Sequence, residues 1–347
     1  MTANYLTYTA FATVCLLLLT LPFIPAVREW LYPTDSVALP ISASYTSDID
    51  HFAKRLHADA SARLGTGKST GYEDFDFLTA PIDAIDLSKA NSGKRLISSD
   101  IQSDDAIRCA SALYVDGSIH TGAGSKFSAL YATGSIALGS ESEIHDWGHA
   151  DGVLAMNNKS VALRRISAGT AIELGNETWF ERVQAPTVHF GSGRALATFP
   201  YPASKAEASY SDLPDVVQQT PQLFLVRGSC ALPPGRIYRG SLVVTGFLVV
   251  GQGTIVMGDV KAREGISIAR NAEVHGAVTC EKRVYMFGAS RVFGPLVSES
   301  DVLIGANAVI GKPDAQTTIS ARNIIVEDGV VMHGAVWAHE VGMVKPA

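Results

Sequence analysis

The chain has 347 residues, 47% of them hydrophobic and 18% charged, with a formal net charge of -6. That length leaves room for one to three domains and a large core. The mild acidity, with no basic surface visible, argues against a nucleic-acid partner, because phosphate binding needs clustered cations.

Residues Leu6 to Val27 read LTYTAFATVCLLLLTLPFIPAV and carry no charge. A run of that length can cross a hydrocarbon core of about 30 Å as a helix. Pro22 and Pro25 would kink or stop it, and Trp30 and Tyr32 follow where an interfacial aromatic belt belongs. A cleaved signal peptide would need a basic start, and Met1–Ala10 holds no Lys or Arg. The expectation is therefore an N-terminal transmembrane anchor over 1–32. Arg28, Lys54 and Arg55 on the far flank place the body on the cytoplasmic side by the positive-inside rule.

Residues 33–107 form a juxtamembrane segment. Within it Ser47–Leu64 predicts an amphipathic helix, with Ile49, Phe52, Leu56 and Leu64 near helical spacing. The GTGKST that follows from Gly65 fails phosphate-loop spacing and reads as a linker.

From 108 onward the governing signal is an internal repeat. Gly240, Gly258, Gly276 and Gly294 recur every 18 residues. Between them the segments align without gaps, placing Leu242, Val260, Val278 and Leu296 in one column. Leu248, Ile266, Val284 and Val302 form a second column, and Val250, Ile268, Met286 and Ile304 a third. Val256, Val274, Val292 and Ile310 form a fourth. Apolar residues paired at i and i+2 put two side chains on one face of a short strand. Three such pairs per unit describe one coil of a parallel β-helix, so the fold class is all-β, a solenoid with 18-residue coils. After Gly311 the period slips by four residues and resumes with Thr318, Ser320, Ile324 and Val326.

A fainter copy covers 108–193, where Ile136, Leu154, Ile172 and Phe190 stand 18 apart. Gly139, Asn157, Gly175 and Gly193 read as its turn column, a place that tolerates positive φ. Residues 194–239 hold Pro200, Pro202, Pro214, Pro221, Pro233 and Pro234 and read as an interruption before the second block, 240–347.

The stretch Gly240–Gly311, with GSLVVTGFLVVGQGTIVMGDVKA followed by GISIARNAEVHGAV, resembles the rod of the bactofilins, the polymer-forming cytoskeletal proteins. That resemblance implies a right-handed β-helix and a non-catalytic bacterial scaffold. It further implies self-association on the inner membrane and the positioning of envelope or polysaccharide-synthesis proteins. IGANAVIG at Ile304–Gly311 resembles a unit of the left-handed hexapeptide-repeat acyltransferases, so an acyltransferase or a carbohydrate-active β-helix is the alternative. Pairs that are large at both positions, such as Ile266 with Ile268, favour the roomier bactofilin core.

Candidate chemistry is sparse, and no catalytic residue, metal ligand or cofactor is expected. His145, Asp146, His149 and Asp151 form the densest polar cluster, but the period puts them at a coil corner. Two histidines four apart could ligate zinc on a helix, and the period predicts none here. His275 and His333 each precede a repeat glycine, a turn-side position, although an acyltransferase would use one exposed His as a base. Glu141, Glu143 and Glu173 show no spacing of a glycosidase pair, and Asn158 and Asn176 head short sequons. Cys15, Cys109, Cys230 and Cys280 lack metal spacing, and nothing in the sequence calls for a Cys109–Cys230 disulfide. A β-helix end exposes unpaired strand edges, so the C-terminal coil is the expected self-association edge: Val330, Met332, Val336 and Val344.

Overall fold

The computed structural model describes residues 2–31, 49–66, 75–77, 95–191 and 206–346. The chain divides into two units, Met1–Asp48 and Ile49–Ala347.

The first unit holds a helix over Thr2–Thr20, one 3-10 turn over Leu21–Phe23 and a second helix over Ile24–Leu31. Pro22 has no amide hydrogen to offer the preceding turn, and the α-helix stops there. The anticipated single span is thus divided, and among the described residues no helix is long and apolar enough to cross a membrane. Phe11, Val14 and Leu16–Leu19 nevertheless stand exposed on the first helix.

The second unit is an all-β parallel solenoid of about 13 turns. In its C-terminal stack the four apolar columns pair as the period requires. Leu248 lies over Ile266, Ile266 over Val284 and Val284 over Val302, all buried. After Gly311 the first strand resumes one residue later than the sequence suggests. Ile319 pairs with Leu296 and is buried with Ala321, whereas Thr318 points outward. A bulge between Ala321 and Asn323 takes that residue back, so Ile324 still meets Val302.

Of the expected interruption over 194–239, residues 194–205 lie outside the described residues, and much of 206–239 forms solenoid strands. Phe224 pairs with Leu242, Cys230 with Leu248 and Tyr238 with Val256. The second stack therefore begins within 206–239, and its prolines 233 and 234 sit at a corner that Thr254 Oγ1 hydrogen-bonds. The first stack also starts earlier than expected, since Leu96 pairs with Leu113 and Ile101 with Ile119.

The last coil of the first stack is two residues short. Ile136, Leu154 and Ile172 stack as read, but Val188 follows Ile172, and Phe190 follows Leu174. One residue is lost at a bulge between Ala162 and Arg165, where the partner runs from Phe180 to Arg182. The other goes at the next corner, where Ala171 pairs with Thr187. The turn column behaves differently from its reading too. Positive φ falls at Glu141, Lys159 and Glu177, two residues beyond Gly139, Asn157 and Gly175. Gly175 is required by space instead: a Cβ there would stand 2.6 Å from the amide nitrogen of Asn158 in the adjacent coil. Gly193 lies outside the described residues.

The two stacks meet end to end. Strand Trp179–Phe190, last of the first stack, pairs antiparallel with strand Val330–Lys345, last of the second. Phe190 faces Val330, Val183 faces Val336 and Trp179 faces Met343. Each C-terminal edge thus satisfies the other's backbone groups.

Helix His51–Thr66 packs on the side of the first stack. Its buried face is Ala53, Leu56 and Ala60, against Phe75, Ile97, Tyr114 and Tyr131. Phe52 and Leu64, expected on the apolar face, are exposed. Small alanines admit the helix close to the broad tyrosine rings, which longer side chains would hold off.

Candidate functional site

The expected assembly edge is the internal seam. Val330, Met332, Val336 and Val344 are each at most 1% exposed. The amide of Val344 donates to the carbonyl of Thr178 and its carbonyl accepts from Glu177. As an open edge these four residues are therefore corrected: the first stack covers them. His333 belongs to the same seam, with Nδ1 3.2 Å from both the Pro186 carbonyl oxygen and Thr187 Oγ1. It is nearly buried, so it is not placed as an exposed base. His275 lies 3.4 Å from a Glu273 carboxylate oxygen and edge-on to Phe293.

The cluster His145–Asp151 lies on strand Glu143–Ala150 and the turn after it, not at a corner throughout. Alternation separates its members. His145 is exposed beside Glu143 at 3.2 Å, and Asp146 accepts from Ser128 Oγ at 2.7 Å. His149 is buried, with Nδ1 2.7 Å from Ser167 Oγ and Nε2 3.2 Å from Asp151 Oδ1. Tyr131 donates its hydroxyl to the same Asp151 oxygen at 2.7 Å. The rings of His57, Tyr114, Tyr131 and His149 stack between helix and sheet, Tyr114 to Tyr131 at 5.2 Å and Tyr131 to His149 at 5.3 Å. Burial lowers the His149 pKa against the opposing pull of Asp151. Burial and the hydrogen bond to Asp151 raise that of Tyr131 far above the usual phenol value. Hydroxyl, imidazole and carboxylate stand in a row, but Ser167 is 5% exposed and its partners close the row internally. Among the described residues no group of three His, Cys, Asp or Glu side chains is arranged to hold a metal.

The remaining sequence candidates are structural. Glu141 occupies a corner and Glu173 points outward from a strand. Asn158 Oδ1 accepts the Asn176 amide at 2.8 Å, a corner-to-corner bond. Cys109, Cys230 and Cys280 are buried free thiols, and burial pushes Cys109 up to about 11. No family model, curated protein or solved structure matches the chain.

Two surfaces stand out from this geometry. One is the N-terminal end of the second stack. Strands Ala206–Ala208, Val216–Thr220 and Cys230–Leu232 each pair on one side only among the described residues. Beneath them Tyr210 stacks on Tyr238 and meets Phe224 at a tilt, each at 4.9 Å, forming the floor of that end. Val217 lies exposed on the outermost hairpin strand.

The other surface is an outward column that crosses the seam. Pairing places Trp147 beside Arg165, Arg165 beside Arg182, and Arg182 opposite Trp337. Arg164, Arg165, Glu181 and Arg182 line a cleft of about 270 Å³ there. Sequence reasoning passed over this site. Arg164-Arg165 was its one local signal, and the partners come from 17 and 172 residues downstream of Arg165.

Proposed function

We propose that the protein is a membrane-attached scaffold whose solenoid self-associates through the N-terminal end of its second stack. The supporting observation is the seam. Two terminal coils of this chain complete each other by edge pairing, which satisfies backbone groups that an isolated end leaves open. The end that carries strands Ala206–Ala208, Val216–Thr220 and Cys230–Leu232 has the same kind of edge with one side unpaired among the described residues. Strand addition by a second copy would complete it. The resemblance of Gly240–Gly311 to bactofilin rods supports the same reading, with a right-handed coil and a role in positioning envelope or polysaccharide-synthesis proteins.

Membrane attachment rests on the helix Thr2–Thr20, whose exposed Phe11, Val14 and Leu16–Leu19 gain free energy on leaving water. Arg28 at the end of the second helix favours the cytoplasmic face of a bacterial inner membrane.

Sedimentation of the full chain in mild detergent tests assembly. The wild type should form species that grow with concentration, and Val217→Lys should shift them to monomer with an unchanged melting curve. A wild type that stays a monomer or a discrete trimer at high concentration overturns the scaffold. Co-flotation with vesicles, lost on deletion of residues 1–32, tests the attachment.

A further inference from the structure

We propose that the cleft of Arg164, Arg165 and Arg182 is a binding site for a phosphate dianion. Three guanidinium groups against the single carboxylate of Glu181 leave the lining two charges positive. A phosphomonoester carries about that charge with opposite sign near neutral pH.

The guanidinium groups are held but not consumed. Arg165 lies with its guanidinium carbon 4.9 Å from the ring centre of Phe52, and Arg182 with its own 3.9 Å from that of Trp337. Stacking occupies the faces of the two groups and leaves their N–H edges for an anion, the geometry in which arginine binds oxyanions bidentately. The nearest carboxylates stand at 3.9 Å, Glu181 from Arg182 and Asp146 from Arg164. No hydrogen bond from any of the three guanidinium groups is formed among the described residues, and Arg182 Nε, shielded from solvent, has only the Glu181 carboxylate at 3.9 Å. Burial, then Arg182 and Arg164, lower the pKa of Arg165, while Glu181 and Asp146 oppose. An anion between the arginines would relieve that repulsion.

The strands place the charges. At the bulge after Ala162 the two successive residues Arg164 and Arg165 both reach solvent, where regular alternation would bury one. The seam then supplies Trp337 beneath Arg182, so the completed site exists only where the two stacks join.

Titration calorimetry of the full chain in detergent with inorganic phosphate tests the site. Binding should be saturable, and Arg165→Gln or Arg182→Gln should each weaken it about tenfold to a hundredfold. Glu181→Gln should tighten it, because it removes the one negative lining charge. If either arginine variant misfolds, the exposed Arg164→Gln carries the same test. Vesicles of phosphatidylcholine with and without phosphatidate separate the sources. A difference abolished by Arg165→Gln marks a lipid headgroup, and inorganic phosphate binding alone marks a soluble ligand. Absence of saturable binding to both probes, or equal affinity in wild type and an Arg165→Gln, Arg182→Gln double variant, overturns the proposal.

Discussion

Val183 and Val336 face each other across the antiparallel junction of the two stacks, and neither is more than 1% exposed. That contact changes what the C-terminal coil is for. A repeat read only along the chain ends at an open edge, whereas here the edge folds back onto a coil about 150 residues earlier. The seam joins regions that a nearest-neighbour solenoid would leave independent.

Val336→Lys should therefore destabilise the fold rather than block assembly. An unpaired charge in a buried apolar position costs several kcal/mol. Hydrogen exchange should rise first in strands Trp179–Phe190 and Val330–Lys345, while coils over 241–304 keep their protection. An unchanged denaturation midpoint would show that the seam is not formed.

Gly276→Ala tests why the 18-residue glycines recur. A Cβ at Gly276 would stand 2.6 Å from the carbonyl carbon of Gly258 in the coil beneath. Backbone cannot retreat there without disturbing the stack, so the expected loss is about 1–3 kcal/mol, an overpacking cost. Urea denaturation measures it, and a neutral result would mean the coils are spaced more widely at that corner.

The legible part of the fold was the part with a strict period. Leu248, Ile266, Val284 and Val302 lie in one column because identical spacing forces identical register. Reading failed where residues were lost or inserted. Phe190 kept an 18-residue spacing from Ile172, yet a bulge and a shortened corner moved it into the column of Leu174. Phe224 and Tyr238 were hidden because aromatic residues among prolines look like loop, although both pack against Tyr210 in the terminal coil. The arginine cleft was illegible for a different reason. Arg182 and Trp337 meet through an antiparallel pairing that no repeat implies.

Acidification should loosen the helix His51–Thr66 from the sheet. His149 faces Asp151, Ser167 and the Tyr131 ring, with Asp50 and Lys54 of the helix region also acting on it. Burial puts its folded pKa below the ordinary 6.5. Between those two values the unfolded chain holds more protons, so stability falls as pH drops below about 6.5 and levels off beneath the folded value. The alkaline side has its own limb. Tyr114 and Tyr131 titrate higher when folded than their ordinary 10.0, chiefly through burial. Stability is then intact below about pH 10 and declines above it. Melting curves across both ranges check this, and a His149→Gln variant with the same acid slope as wild type would sink the assignment.

Ala289→Gly should stabilise the protein, although it removes a methyl group from a folded coil. The corner column Gly253, Asn271, Ala289 and Asn307 repeats every 18 residues at φ of 65°, 58°, 57° and 59°. Left-handed backbone costs an ordinary L-residue about 1–2 kcal/mol, a cost glycine escapes and asparagine reduces by local hydrogen bonding. Alanine does neither, so position 289 carries strain that its equivalents avoid. Glycine also has more freedom to lose on folding, which returns about 0.4–1 kcal/mol of the gain. The net expectation is a gain of about 0.5–1 kcal/mol, read as a rise of about 2 °C in melting temperature. Ala289→Asn should move in the same direction, and Ala289→Val, branched at Cβ, in the opposite one. A glycine variant that melts lower than wild type would show that the corner is not in the left-handed region.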